Sequence, residues 1–344
     1  MSGIAGVIGE KNEKECRKKI KILLDKIPHR GAKRKIFRIG DNCFGINSNS
    51  DNKIEKDGYL ALLDGKIYNI NDLVTKYNIT TTSPKKSDEQ KIILLFKKLG
   101  EEIFKELKGS YSLILVDKQQ NIFCLRDVIG IKPLYYSKDK TSDAVLIASE
   151  IKSLIELTNN IKEFPPGSIM INFNSSKAIK EISLENFPLS YKLEKTNIEN
   201  KLENHLINSV DRRTSNNFST YGVWLSGGLD SSIIAAILKE FTEEVYTFSV
   251  GFKESPDLNS AKIVSEYLGT KHTEYELDVN ELFSSIPKVI YYLESFDAPL
   301  VRSSLGNAIA SKISSSADVV FSGEGGDELF AGYDYFLDLD SKKS

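Results

Sequence analysis

Hydrophobic and polar positions are distributed in two ways along this chain. Up to about residue 185, short apolar runs of strand length alternate with a few helical stretches. Residues 61–63, 112–116, 122–125, 145–148 and 169–173 predict strands. Residues 11–25 and 87–99 carry their apolar positions at helical spacing. The segment FPPGS, residues 164–168, predicts a turn before the last of those strands. A polar, irregular stretch over 184–196 then predicts a linker. A helix over 197–208 leads into strands at 222–225, 245–250 and 318–321 that alternate with helices, the pattern of a parallel α/β sheet. The chain thus divides into a first domain over 1–185, a linker over 186–196 and a second domain over 197–344. It shows no internal repeat and no extended low-complexity segment.

A length of 344 residues agrees with two domains. Hydrophobic residues at 40% and charged residues at 27% are ordinary for a water-soluble protein. A net charge of −2 makes no electrostatic case for nucleic acid or an anionic membrane, and Lys33, Arg34 and Lys35 read as solvated surface. No apolar stretch is long enough to span a bilayer, and the N-terminus lacks a signal-peptide pattern. Cys16, Cys43 and Cys124 are few, odd in number and unpatterned, so reduced thiols in a cytoplasmic protein are expected. With only His29, His205 and His272, a histidine metal site is not expected.

The stretch YGVWLSGGLDSSIIAAIL, residues 221–238, reads as a buried strand, a glycine turn and a helix opening on Asp230, Ser231 and Ser232. Gly227 and Gly228 permit a sharp turn and a close backbone approach. The start of the helix presents N–H groups at a positive dipole end, a site for pyrophosphate. An acidic side chain inside such a loop makes sense when Mg²⁺ bridges it to phosphates. No lysine follows the glycines, so this is not the Walker loop. SGGLDSS resembles instead the PP-loop of ATP pyrophosphatases, which cleave ATP between its α and β phosphates. The plain alternative is a glycine-rich strand-to-helix turn with a serine cap.

A second stretch, ADVVFSGEGGDELFAGYDYF over 317–336, repeats the theme. A β-branched run precedes Ser322, Gly323, Glu324, Gly325, Gly326, Asp327 and Glu328. Three carboxylates that close together repel one another unless a cation joins them; a solvated acidic loop is the alternative. In a parallel sheet both loops emerge at the carboxyl ends of strands, where such folds bind ligands.

With these motifs the chain resembles asparagine synthetase of the glutamine-hydrolysing type. GIAGVIG (3–9), GKIYN (65–69), RDVIGIKPLYYS (126–137), ASEIKSLI (148–155), FPPGS, FSVGFKESPDLNSAKIVSEYLGTKH (248–272) and LESFDAPLVRSS (293–304) carry the resemblance with the two loops. It implies an αββα sandwich of the amidotransferase, Ntn-hydrolase-like kind, followed by a parallel-sheet α/β PP-loop domain. It also implies that the aspartate β-carboxylate attacks the α-phosphorus of ATP, releasing pyrophosphate, and that ammonia attacks the resulting β-aspartyl-AMP. By position, Leu225 and Val250 bracket adenine and ribose, while Ser226, Gly227, Gly228, Asp230, Ser231 and Ser232 hold pyrophosphate. Asp230 and Asp327 bind Mg²⁺, Ser322 and Gly323 contact ATP, and Glu324 serves the adenylate step. Asp257, Asp297 and Arg302 fall in substrate-facing loops, with ordinary loop ion pairing as the alternative.

The first domain departs from the family at the residues that hydrolyse glutamine. Relatives expose an N-terminal cysteine whose thiolate attacks the amide; here Ser2 stands there, a poorer nucleophile near neutral pH. The family motif Asn-Gly-Glu-Ile-Tyr-Asn reads Asp64, Gly65, Lys66, Ile67, Tyr68, Asn69. Asp64 replaces a donor to the oxyanion, whose loss typically costs about 10²–10³ in rate. Lys66 replaces a glutamate that helps hold glutamine. Residues 43–52 contain no arginine for the substrate carboxylate. Asp88 remains where relatives bind the glutamine amino group. The expectation is a glutaminase half with little or no activity and free ammonia as nitrogen donor.

Relatives also carry further, largely helical residues after the SGEGGDE loop, so the expectation includes a homodimer or a partner chain that supplies them. Pro299 and Leu300 stand where some relatives carry hydroxyl residues near the aspartate. Three classes therefore remain: an ammonia-dependent asparagine synthetase, a related adenylating amide-forming ligase of the β-lactam-synthetase kind, and a non-catalytic ATP-binding subunit or regulator.

Overall fold

The computed structural model describes residues 2–51, 54–80, 86–173, 176–178, 195–214 and 218–333. The chain forms two compact units, Met1–Tyr191 and Lys192–Ser344. Most of the linker expected over 186–196 lies outside the described residues, as does the tail over 334–344 with Tyr335 and Phe336.

The first unit opens with β1 (Ser2–Ile8), α1 (Glu13–Asp25), β2 (Lys33–Ile39), β3 (Asn42–Ser48), β4 (Glu55–Lys56) and β5 (Tyr59–Ile67). It continues through α2 (Ile70–Lys76), α3 (Asp88–Leu99), β6 (Gly109–Val116), β7 (Ile122–Arg126), β8 (Tyr135–Lys138) and β9 (Val145–Ala148). The last elements are α4 (Ile151–Leu154), β10 (Lys162–Glu163), β11 (Ser168–Ile171) and β12 (Ser176–Ala178). The strands form two six-stranded sheets, β10-β8-β9-β1-β3-β2 and β12-β11-β7-β6-β5-β4, antiparallel at the pairs described.

Strand alternation sorts the apolar side chains into three layers. In β1, Ile4 joins Phe44, Leu60, Leu62 and Ile114 in a cluster drawn from both sheets, so this cluster lies between them. Ala5 and Val7 face the other way, onto Cys16, Ile20, Leu23 and Leu24 of α1. On the second sheet Ala61, Leu63, Leu113 and Leu125 face Ile92, Leu95 and Phe96 of α3. Helix, sheet, sheet, helix is therefore the layer order, the αββα sandwich that the resemblance implies.

Local chemistry sets the ends of these elements. Asn12 caps α1 by accepting from Lys14 and Glu15 N–H, so the helix starts at Glu13 rather than residue 11. Ser87 caps α3, and Gly100 ends it at φ +63°. The strand expected over 169–173 stops at Ile171, because Asn172 and Phe173 turn to φ +49° and +56°. Conversely, β5 runs well past residue 63, since the buried Asp64 finds a partner, described below. The RDVIGIKP motif is a loop organiser. Asp127 accepts from the N–H groups of Ile129, Gly130, Ile131 and Lys132, and Arg126 donates to the carbonyls of Gly130, Lys132 and Phe164.

The second unit runs α5 (Lys195–Thr214), β13 (Tyr221–Trp224), α6 (Leu229–Phe241), β14 (Val245–Gly251), α7 (Pro256–Leu268) and β15 (Lys271–Glu276). Then come α8 (Val279–Leu293), α9 (Ala298–Ile313), β16 (Val319–Phe321) and the short α10 (Gly326–Phe330). Helix α5 outruns its expected 197–208 because Val210 docks in the core beside Leu206 and Ile207. The sheet is parallel with order β15-β14-β13-β16. The chain steps outward from β13 through β14 to β15, then crosses back to place β16 on the other side of β13. The loops after β13 and β16 therefore flank a topological switch point, the place where open α/β sheets bind ligands. Among the described residues no helix is long and apolar enough to cross a membrane. Cys16, Cys43 and Cys124 are buried free thiols.

Candidate functional site: two glycine loops and the Ser2–Asp64 cluster

The loop after β13 is built by glycine and serine. Gly227 takes φ +78°, and a Cβ there would lie 2.4 Å from Ala261 N, so only glycine permits both the turn and the contact with α7. Gly228 caps α6, and among the described residues no side-chain cap hydrogen bond closes this helix start. Ser231 Oγ lies 3.2 Å from Ser226 N and 3.0 Å from Ser226 Oγ, and it also donates to Gly228 O. Ser232 Oγ donates to Gly228 O at 2.6 Å. Both serine hydroxyls thus hold the shape of the loop.

The second loop packs onto the first. A Cβ on Gly323 would lie 2.8 Å from Ser231 N, and one on Gly326 would lie 2.2 Å from Asp230 Oδ2. The glycines of SGEGGDE are what let Asp230 reach the backbone of the other loop. Between the loops and α9 opens a cleft of about 330 Å³. Leu225, Ser226, Asp230, Ser231, Val250, Ser322, Gly323, Glu324 and Asp327 line it. Gly227, Gly228 and Ser232 belong to the same loop but not to the lining.

Leu225 contributes by backbone and packing. It is 1% exposed, its N–H donates to Phe248 O, and its carbonyl accepts from Ser249 Oγ. Three further residues of the expected set also stand outside the lining. Asp297 accepts from Leu300 N–H at 2.9 Å as the N-cap of α9, which is a structural task. Asp257 lies in the first turn of α7, and Arg302 is exposed on α9. Six lining residues have no assigned role in the sequence reading: Trp224, Phe248, Gly306, Asn307, Ala310 and Tyr333. Trp224 had a signal, as the single tryptophan of the chain directly before the glycine motif. Asn307 had none, because helix α9 is polar and small-residue-rich on most sides.

The cleft offers oxygen donors: the carboxylates of Asp230, Glu324, Asp327 and Glu328 beside serine hydroxyls. Mg²⁺ is a hard cation usually held by one or two carboxylates together with water and substrate phosphates. Asp230 and Asp327, on facing loops, fit that pattern. Among the described residues no group of three His, Cys, Asp or Glu side chains converges as a self-sufficient metal site.

In the first unit, Ser2 opens β1 with Asp64 of the other sheet beside it. Ser2 N donates to Asp64 Oδ1 at 3.1 Å, and the Ser2 and Ser48 hydroxyls lie 3.4 Å apart. Asp64 is fully buried and its Oδ2 accepts from Arg30 Nη1 at 2.7 Å. Arg30 also pairs with Glu150, which His29 and Lys152 approach as well. Burial would raise the Glu150 pKa, but Arg30, Lys152 and His29 outweigh it and hold the carboxyl below its ordinary value. Lys66 Nζ lies 2.8 Å from Asp88 Oδ2, with Lys91 at 3.8 Å from the same carboxylate.

Comparison with known proteins gives both units a relation. Residues 1–181 match the model of the glutamine amidotransferase domain, and residues 201–344 match that of asparagine synthase. The chain is 31% identical to asparagine synthetase B [glutamine-hydrolyzing] of Escherichia coli, over 98% of this chain and 65% of that protein. It is 31% identical to asparagine synthetase [glutamine-hydrolyzing] 1 of Arabidopsis thaliana, over 100% of this chain and 62% of that protein. It is 33% identical to an asparagine synthetase [glutamine-hydrolyzing] of Zea mays, over 83% and 50%. The chain thus spans less than two thirds of the length of these relatives. With an amidotransferase sandwich followed by a parallel-sheet domain carrying both glycine loops, it belongs to the glutamine-hydrolysing asparagine synthetase family.

Proposed function

We propose that the protein activates the β-carboxylate of aspartate with ATP and amidates it to asparagine, using free ammonia. The observation that carries this reading is the contact of the two glycine loops, which sets Asp230, Glu324 and Asp327 around one cleft at the switch point of the sheet. A carboxylate oxygen attacks the α-phosphorus, and the α–β bridging oxygen leaves with pyrophosphate. Ammonia then forms the C–N bond at the acyl carbon, AMP leaves, and the ammonium proton goes to a base in the cleft.

Each part of the cleft has a task in this reaction. Loop 226–232 and the start of α6 hold the pyrophosphate through backbone N–H groups. Leu225 and Val250 bracket the nucleoside, and Ser322 and Gly323 contact the nucleotide. Asp230 and Asp327 would hold Mg²⁺, which offsets phosphate charge when bound. Glu324 takes the proton from the incoming ammonium. Catalysis is then mainly positioning and charge neutralisation.

The first unit supports ammonia as the nitrogen source. Ser2 stands in for a thiolate, the position of an oxyanion donor holds the carboxylate of Asp64, and Lys66 already pairs with Asp88. An ammonium group of glutamine would have to displace Lys66. On this reading the sandwich persists as a folding or dimerisation platform.

One observation favours a second reading, a related ligase acting on another carboxylate. Among the described residues lining the cleft none is Lys, Arg or His, so the α-carboxylate of aspartate finds no counter-ion there. Supplying ATP, Mg²⁺, ammonium and aspartate, and measuring pyrophosphate and asparagine, decides between them. Asparagine formation supports the first reading. Pyrophosphate released only with another carboxylate supports the second, and nucleotide binding without turnover overturns both.

A further inference from the structure

Asn307 stands on α9 beside Gly306 and one turn before Ala310, and all three line the cleft. Its Nδ2 donates to Glu324 Oε1 at 3.3 Å. The helix that carries it is anchored at both ends. Asp297 caps its start, and Trp224 Nε1 donates to Ser314 Oγ at its close, 3.1 Å away. Glu324 rides on a loop closed by Gly326 N–H donating to Gly323 O. A fixed helix therefore presents a neutral donor to one oxygen of a carboxylate flanked by glycines.

We propose that Asn307 is the positioning residue for Glu324. Glycines on both sides leave the Glu324 side chain many orientations, and one amide contact selects among them. An amide directs the carboxylate without cancelling its charge, as a lysine at this place would. One oxygen is held and the other remains for a proton or a cation. The inference rests on the reading in which Glu324 acts at the adenylate step, and it adds a residue to which neither the sequence motifs nor the family resemblance assigned a role.

The test has two arms on the full chain. The side-chain amide of Asn307, followed by NMR with selective labelling, is expected to shift when Glu324→Gln replaces its carboxylate acceptor, and to stay in place in Glu328→Gln. In steady-state pyrophosphate release, Asn307→Ala is expected to lower kcat about ten- to a hundredfold with KM for ATP within about twofold, the signature of a misplaced reacting group. Asn307→Gln restores part of the loss, and Asn307→Asp, equal in size but of like charge, falls below Asn307→Ala. An amide signal indifferent to Glu324→Gln, or a kcat untouched by Asn307→Ala, overturns the proposal. Absence of turnover in the wild type would sink the functional reading instead, while the amide signal still decides the pairing.

Discussion

Asp230 and Gly326 touch across the two loops: a Cβ on Gly326 would sit 2.2 Å from Asp230 Oδ2. The carboxylate that opens α6 is thereby seated by the backbone that follows Glu324. Gly326→Ala must push Asp230 out of this seat, while the strands beneath are untouched. Isothermal titration with Mg²⁺ and ATP should show affinity weakened about tenfold, ~1.4 kcal/mol, with thermal unfolding little changed. Gly323→Ala should be harsher, because its neighbour at 2.8 Å is the backbone of Ser231, which cannot rotate away.

Lys66 and Asp88 make the corresponding statement about the first unit. On the proposed reading, their 2.8 Å ion pair occupies the place where the amino group of glutamine would bind. The purified protein should release ammonia from glutamine at under about a hundredth of the rate of a normal homologue. Ser2→Cys alone should not restore it, because Asp64 and Lys66 persist. Near-normal ammonia release by that single variant would show that these two side chains are no obstacle.

Acid should weaken the first unit in a defined window. Burial would raise the Asp139 pKa, but hydrogen bonds from Thr141, Lys19 and Ser142 outweigh it and bring the carboxyl from 3.8 down to about 2. A folded-state pKa below the unfolded value adds stability that is complete above about pH 4 and lost as pH falls towards 2. The loss should be roughly 2 kcal/mol. Glu10, held below its ordinary value first of all by its bond to Lys19, acts in the same direction. Urea unfolding from pH 5 to pH 2 should show the stability gap between wild type and Asp139→Asn shrinking as the pH falls. A constant gap would refute this.

Asp297 separates a structural role from a substrate contact. As N-cap of α9 it should tolerate asparagine, which caps as well, and lose about 1 kcal/mol with alanine. Pyrophosphate release by Asp297→Asn close to wild type, with only Asp297→Ala destabilised in urea, is the expected outcome. A raised KM for aspartate or a lowered kcat with Asp297→Asn would instead support the substrate-facing reading.

Much of the fold was legible because it is locally encoded. The strands around residues 112–116, 122–125, 145–148, 245–250 and 319–321 are apolar runs that strongly favour strand. The helices over 11–25 and 87–99 showed in their periodicity, although the start of the first, set by the Asn12 cap, was placed two residues early. Strand β15, Lys-His-Thr-Glu-Tyr-Glu, was not legible: it is largely polar and exposed, and its state comes from main-chain pairing with β14. Asp64 within β5 was likewise unexpected as strand, since a buried carboxylate belongs there only once Arg30, distant in sequence, supplies the opposite charge.

The sequence by itself determined the chemistry available: two glycine loops that bend sharply and carry acids, and a first unit that begins with Ser2 and places Asp64 and Lys66 two residues apart. Those properties reside in single residues and their spacing, so they survive without coordinates. Only the tertiary structure decided which of those groups meet. It seated Asp230 against Gly326, brought Asn307 to Glu324, and paired Lys66 with Asp88. Each contact joins segments set together by sheet order and helix packing, and nothing in the local pattern of a segment specifies its neighbour across the fold.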